Sequence, residues 1–90
     1  MAFENLFEPI AIGTMKLRNR IVLPPMVRNW ATERGEVTGR LIDHYTALAK
    51  GGAAMLILEA SYISPEARGF TYQMGISNDS QIPGLKKLVD

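Results

Sequence analysis

The chain has 90 residues, 47% of them hydrophobic, with ten Lys or Arg against nine Asp or Glu and a formal net charge of +1. That balance excludes a disordered charged tail and an electrostatic nucleic-acid arm, since Lys86-Lys87 is the longest basic run. Without cysteine these residues hold no disulfide, thiolate metal site or cysteine nucleophile, and no metal ligand set is expected in them.

Short apolar pieces on either side of Gly13-Thr14 (Ile10-Ala11-Ile12 and Met15-Lys16-Leu17) read as a β-hairpin. Residues 20–23, Arg-Ile-Val-Leu, form a continuous rather than alternating run, as expected of a strand buried on both faces. Pro24 and Pro25 stop it, because neither can donate a ladder hydrogen bond. Residues 27–38 form a polar loop, and Thr38 is an N-cap candidate for a helix over 39–50. Leu41, Tyr45 and Leu48 recur at i, i+4, i+7, with Ile42 and Ala49 widening the stripe, so the helix lies one-sided on a sheet. Gly51-Gly52 ends it, the first glycine suiting the left-handed cap position. A second strand follows over 53–60, then a long loop over 61–82, and Pro83 opens a second helix.

The order hairpin, strand, helix, strand, helix start contains a right-handed βαβ unit, of the α/β class. A parallel sheet of this kind is covered on both faces and needs more chain than 90 residues. At ~30 residues per strand–helix step, the chain makes about a quarter of a (β/α)8 barrel of ~250 residues. Residues 1–19 would be a leading segment with the hairpin, and 20–90 the first βα units of one domain. Both post-strand loops lie at one end of the sheet and exceed the usual ~2–6 residues, which in a compact domain points to function. The N-terminus, Met1-Ala2-Phe3-Glu4-Asn5, carries no signal-like basic and apolar regions, so a cytoplasmic protein is expected. The longest apolar run, 53–58, is too short to cross a bilayer.

The residues after the strands carry the chemistry, each with a plainer alternative. Pro24-Pro25-Met26 puts a donor-poor backbone beside a polarizable thioether, a good wall for a flat aromatic cofactor; alternatively it is a strand stop followed by a core methionine. Ala60 is small enough for close ligand approach and Glu59 sets a charge at the strand end; alternatively Glu59 pairs with a basic neighbour and Ala60 is packing. Arg28, Asn29 and Trp30 are candidates for binding a substrate carbonyl, a carboxylate or a coenzyme tail, unless Trp30 merely staples the loop and Arg28 is solvated. His44, the one histidine, sits mid-helix and reads as structural. Gly51-Gly52 follows a helix, the reverse of a phosphate-binding order. Tyr62, Arg68, Gly69 and Tyr72 populate the second loop, and spacing selects none of them.

Leu6-Phe7-Glu8-Pro9-Ile10 and the run from Leu17 through Arg18-Asn19-Arg20 to Pro24-Pro25-Met26 resemble the start of the Old Yellow Enzyme family of flavin oxidoreductases. Gly35-Glu36-Val37-Thr38, Asp43-His44-Tyr45, Ala49-Lys50-Gly51-Gly52 and Leu56-Ile57-Leu58-Glu59-Ala60-Ser61 follow in the same order and spacing, and Ile82-Pro83-Gly84-Leu85 closes the match. The details around Ala31-Thr32-Glu33 and Leu41-Ile42-Asp43 are most similar to the NADH:flavin oxidoreductase branch with 2,4-dienoyl-CoA reductase-like and enoate reductase-like members.

The resemblance implies the N-terminal part of a (β/α)8 TIM barrel binding FMN at the C-terminal ends of its strands, with NAD(P)H as reductant and an activated alkene or enoyl compound as substrate. It carries FMN contacts to Pro24, Pro25, Met26, Val27 and Ala60, and substrate contacts to Arg28, Asn29 and Trp30. Val27 stands where some members have a cysteine or threonine that tunes the flavin, so that contribution is absent. The catalytic residues and the phosphate loops would come from outside these 90 residues, as would cysteines for any 4Fe-4S cluster. No nucleic acid or membrane partner is implied; the complete barrel would be a homo-oligomer, and the 90 residues alone inactive. The alternatives are a 90-residue non-catalytic binding or structural module, or a (β/α)8 enzyme that uses no flavin.

Overall fold

The computed structural model describes residues 3–90; Met1 and Ala2, part of the N-terminal stretch read above for a leader, lie outside the described residues. Strands β1 (Ile10–Ile12) and β2 (Met15–Leu17) pair antiparallel, with Ile12 opposite Met15. Gly13 takes φ +60° at the first central position of the two-residue turn, where a glycine is free to go.

Strand β3 (Val22–Leu23) pairs in parallel with β4 (Met55–Leu56), Val22 opposite Met55 and Leu23 opposite Leu56. Both are shorter than the expected 20–23 and 53–60. The ladder reaches one residue further each way, with Ala54 N donating to Ile21 O at 3.0 Å and Ile57 N to Leu23 O at 3.1 Å. Beyond these bonds neither strand has a second neighbour among the described residues. Val22 and Ile57 accordingly remain exposed, the condition of a barrel sheet with only its first two strands present.

Helix α1 (Gly39–Lys50) crosses between β3 and β4 as expected. Thr38 Oγ1 accepts from Leu41 N at 3.3 Å and donates to Trp30 O at 2.6 Å, so the cap also fixes the preceding loop. Leu41 and Tyr45 are buried with Ala31 and Met74, and Leu23, Leu48, Leu56 and Leu58 pack around them. Ala49, expected in the stripe, is exposed.

The helix stop differs from the glycine cap expected. Gly51 keeps a helical φ of −72°, and Gly52 carries the positive φ, +117°. The physical reason is a side-chain cap from a distant residue: Arg18 Nη2 donates to Ala49 O at 3.0 Å and to Ala53 O at 3.3 Å. Buried Asn19 adds Nδ2 to Gly52 O at 2.8 Å and accepts from Ile21 N at 2.9 Å. The entry to β3 is thus sewn to the exit of α1.

The second loop is more ordered than a plain connection. It holds 3-10 turns at Pro65–Ala67 and Asp79–Gln81 and a parallel bridge between Tyr62 and Gly75. Helix α2 (Ile82–Val89) follows, with Pro83 in its first turn, and its Leu85 and Leu88 pack on the core beside α1.

Candidate functional site

The C-terminal ends of β3 and β4 stand side by side, and residues 24–30 and 57–60 follow directly from them. Pro24, Pro25 and Met26 are exposed, Met26 at 48%, and Val27 is half-buried. Ala60, four residues past the end of β4, is exposed as well. Strand β3 stops at Leu23, directly before Pro24, and Pro24-Pro25-Met26 form an exposed ledge among the described residues. The prolines have no N–H, and the amides of Met26 and Val27 donate to nothing among the described hydrogen bonds. An apolar ledge with two uncommitted backbone donors suits a flat ring with polar edges.

Glu59 is 2% exposed, and among the described residues no basic side chain forms an ion pair with it, unlike the plainer reading. Its Oε1 accepts from the Tyr45 hydroxyl at 2.9 Å, and its Oε2 accepts from Arg28 N at 3.3 Å. The Glu59 N–H in turn donates to the Tyr45 oxygen at 3.2 Å. Burial, reinforced by the neighbouring carboxylate, pushes the Tyr45 hydroxyl up to about 12, so it is a neutral proton donor at ordinary pH.

Arg28, Asn29 and Trp30 divide into different roles. Trp30 is half-buried against the core, with the Arg40 guanidinium 3.9 Å and the Arg28 guanidinium 4.7 Å from its ring centre and the His44 ring edge-on at 5.3 Å. It staples the loop to α1, and His44, also edge-on to Tyr45 at 5.0 Å, belongs to that packing. Asn29 has φ +62°, and its Oδ1 accepts from Tyr72 N at 2.8 Å. Its side-chain NH2 has no partner among the described bonds. Ala31 N then donates to Tyr72 O at 2.9 Å, binding the first loop to the second.

Several positioning residues left no signal in the local pattern. Buried Gln73 donates to Ala60 O at 2.9 Å and accepts from Gly69 N at 2.7 Å, holding the residue after Glu59 in place. Buried Gln81 accepts from Ser77 N and Asn78 N at 2.8 and 3.0 Å, and donates to Arg34 O at 2.8 Å and to the Tyr62 hydroxyl at 3.2 Å. Gly35 and Gly75 flank this knot, and Gly75 N donates to Gly35 O at 3.0 Å. Arg68, also bonded to Glu33 O, lies over the Tyr62 ring at 5.9 Å. A polar cleft of about 540 Å³ opens here, lined by Arg34, Arg68, Ser77 and Ser80 among others, with none of the ledge residues in its wall. Among the described residues no cluster of acidic or histidine side chains could hold a metal.

A family model described as NADH:flavin oxidoreductase / NADH oxidase matches residues 5–90. The chain belongs to this family. It is 40% identical over 89 residues to the NADH oxidase of Thermoanaerobacter brockii, a match spanning 98% of this chain and 14% of that protein. Among solved structures it is similar to a 2-naphthoyl-CoA reductase in complex with 2-naphthoyl-CoA, with TM-score 0.93 and 36% identity over 97% of this chain and 13% of that one. It is also similar to the Old Yellow Enzyme of Trypanosoma cruzi, with TM-score 0.86 and 35% identity over 100% of this chain and 24% of that one. The chain thus spans under a quarter of the length of each. Its fold is the N-terminal part of the Old Yellow Enzyme (β/α)8 barrel, the architecture read from the order of its elements.

Proposed function

We propose that this chain forms the opening part of an FMN-dependent NAD(P)H:flavin oxidoreductase of the ene-reductase type. The observation that carries the reading is the exposed ledge at residues 24–26, which follows β3 just as Ala60 follows β4, its parallel neighbour. When bound, FMN supplies a two-electron relay that takes hydride from NAD(P)H and delivers it to the β-carbon of an activated alkene. Pro24, Pro25 and Met26 would seat the ring, and the free amides of Met26 and Val27 would meet its polar edge. Ala60 leaves room for close approach at the end of β4, where a longer side chain would intrude. Arg28 and Asn29 are the substrate-side residues, the Asn29 NH2 being able to donate to a carbonyl that activates the alkene. Trp30 acts as the packed wall behind them. An activated alkene or enoyl ester is the substrate class, a cytoplasmic homo-oligomer the setting, and any 4Fe-4S cluster draws its cysteines from outside these residues.

The test is the visible spectrum of the full-length protein, followed anaerobically. Flavin bands that bleach with NADH or NADPH and return when an α,β-unsaturated ketone is added are the expected result. A correctly folded but colourless protein that takes up no FMN refutes the reading and favours a flavin-free barrel or a binding module.

A further inference from the structure

Among the described residues, the hydrogen bonds that fasten the ledge lie at its two ends. Residues 24–27 make no hydrogen bond of their own among those described. On one side Leu23 O accepts from Ile57 N at 3.1 Å, and on the other Arg28 N donates to Glu59 Oε2 at 3.3 Å. The second of these fastenings is to a side chain, so the reach of the Glu59 carboxylate from its own backbone sets where the far end of residues 24–27 stands. Resting on the functional reading above, we propose that Glu59 is a positioning residue for the flavin, its buried carboxylate setting where the ledge stands relative to Ala60.

The chemistry of the site requires a carboxylate. Two donors converge on this position, the Tyr45 hydroxyl and the Arg28 N–H, and each takes one oxygen. A glutamine would present one acceptor and one donor, so it meets both only by reversing the Tyr45 bond. Tyr45 holds the carboxylate from the other side and is itself held by the Glu59 N–H. Because Tyr45 sits in the core face of α1, the ledge is referenced to the outer helix as well as to the strand. Gln73, bonded to Ala60 O, fixes the other wall independently. Glu59 therefore controls the separation of two surfaces that would flank the ring, and touches neither the ring nor the substrate in this account.

The experiment uses the full-length protein and its Glu59→Ala, Glu59→Gln and Tyr45→Phe variants, with Leu88→Ala as a control that thins the core away from the tether. Two quantities are read: hydrogen exchange at the Arg28 amide, and the FMN dissociation constant of each apoprotein. In Glu59→Ala, Arg28 exchange rises about tenfold or more and FMN affinity falls about tenfold or more, with Tyr45→Phe smaller in both. Leu88→Ala lowers the melting temperature and leaves FMN affinity within about twofold, which a merely structural role for Glu59 would not distinguish. Arg28 exchange unchanged in all three variants overturns the tether. Faster Arg28 exchange with wild-type FMN affinity overturns the positioning role. A wild-type protein that takes up no FMN overturns the flavin reading itself and this proposal with it, an outcome separate from the other two because it shows before any substitution is made. Should Glu59→Ala fail to fold, Glu59→Gln and the near-isosteric Tyr45→Phe decide the same question.

Discussion

Tyr45 offers a test of the buried pair that needs no cofactor. Its hydroxyl is pushed up from the ordinary tyrosine value of 10.0 to about 12 in the folded chain, chiefly by burial and then by Glu59. A group whose folded pKa is raised keeps its full contribution below the unfolded value and loses it as pH climbs through the folded one. The window is therefore pH 10 to 12, and stability falls with rising pH inside it because only the unfolded chain releases the proton. That rise in pKa corresponds to about 2–3 kcal/mol in total, about half of it gone by pH 11. Urea unfolding of the full-length protein and Tyr45→Phe at pH 8, 10 and 11 isolates the effect, since other tyrosines and lysines titrate in both. At pH 8 the variant is weaker by about 2–3 kcal/mol, having lost one bond to a buried carboxylate and one from a backbone amide. The gap narrows by roughly 1–2 kcal/mol at pH 11. A gap that stays constant from pH 8 to 11, or tyrosinate absorbance assigned to Tyr45 appearing near pH 10, refutes the buried-donor geometry.

Gly75→Ala places a Cβ 2.5 Å from Tyr62 Cζ and 2.7 Å from Gln81 Nε2, both on buried side chains. It destabilises by about 1–3 kcal/mol in thermal or urea unfolding. Asn29→Gly keeps the positive φ and loses the bond to Tyr72 N, whereas Asn29→Ala also strains the backbone; the alanine variant is the weaker by about 1 kcal/mol in the same assay. Ala60→Leu, at an exposed position, leaves the melting temperature unchanged while FMN affinity falls at least about tenfold, read by flavin fluorescence titration.

What was legible in the sequence was what repeats or terminates locally. Thr38 before the Leu41, Tyr45, Leu48 spacing placed α1 at its observed bounds, and Gly13-Thr14 between two apolar triplets placed the hairpin. The order of elements and the family motifs placed the fold. The strand lengths were not legible, because a buried apolar run states which residues suit a strand and not how many have neighbours to pair with. Tyr45 read only as a core residue, since its apolar ring satisfies the helix period while its hydroxyl answers to Glu59, 14 residues away. Nothing beside Arg18 in the sequence marks it as a cap, yet it closes a helix end 31 residues on. Gln81 bonds to Arg34 across 47 residues. Such pairings carry no period, and only the folded chain brings the partners together.

These long-range bonds share a physical logic that the apolar core cannot supply. The segments after β3 and β4 leave residues 24–26 and Ala60 exposed, so they have little apolar area left to bury. Side chains with two or more hydrogen-bonding atoms, buried beneath the loops, take over: Glu59 under Arg28, Gln73 under Ala60, Gln81 under Arg34. Each accepts or donates at least two bonds, and no buried side-chain nitrogen or oxygen among the described residues lacks a partner. A directional bond fixes one geometry where apolar contact tolerates several, and leaving any one of these groups unmade would expose its full desolvation cost. The mouth of this barrel segment is therefore held by polar residues beneath an apolar ledge, an inversion of the usual layering that follows from having to keep the apolar surface open.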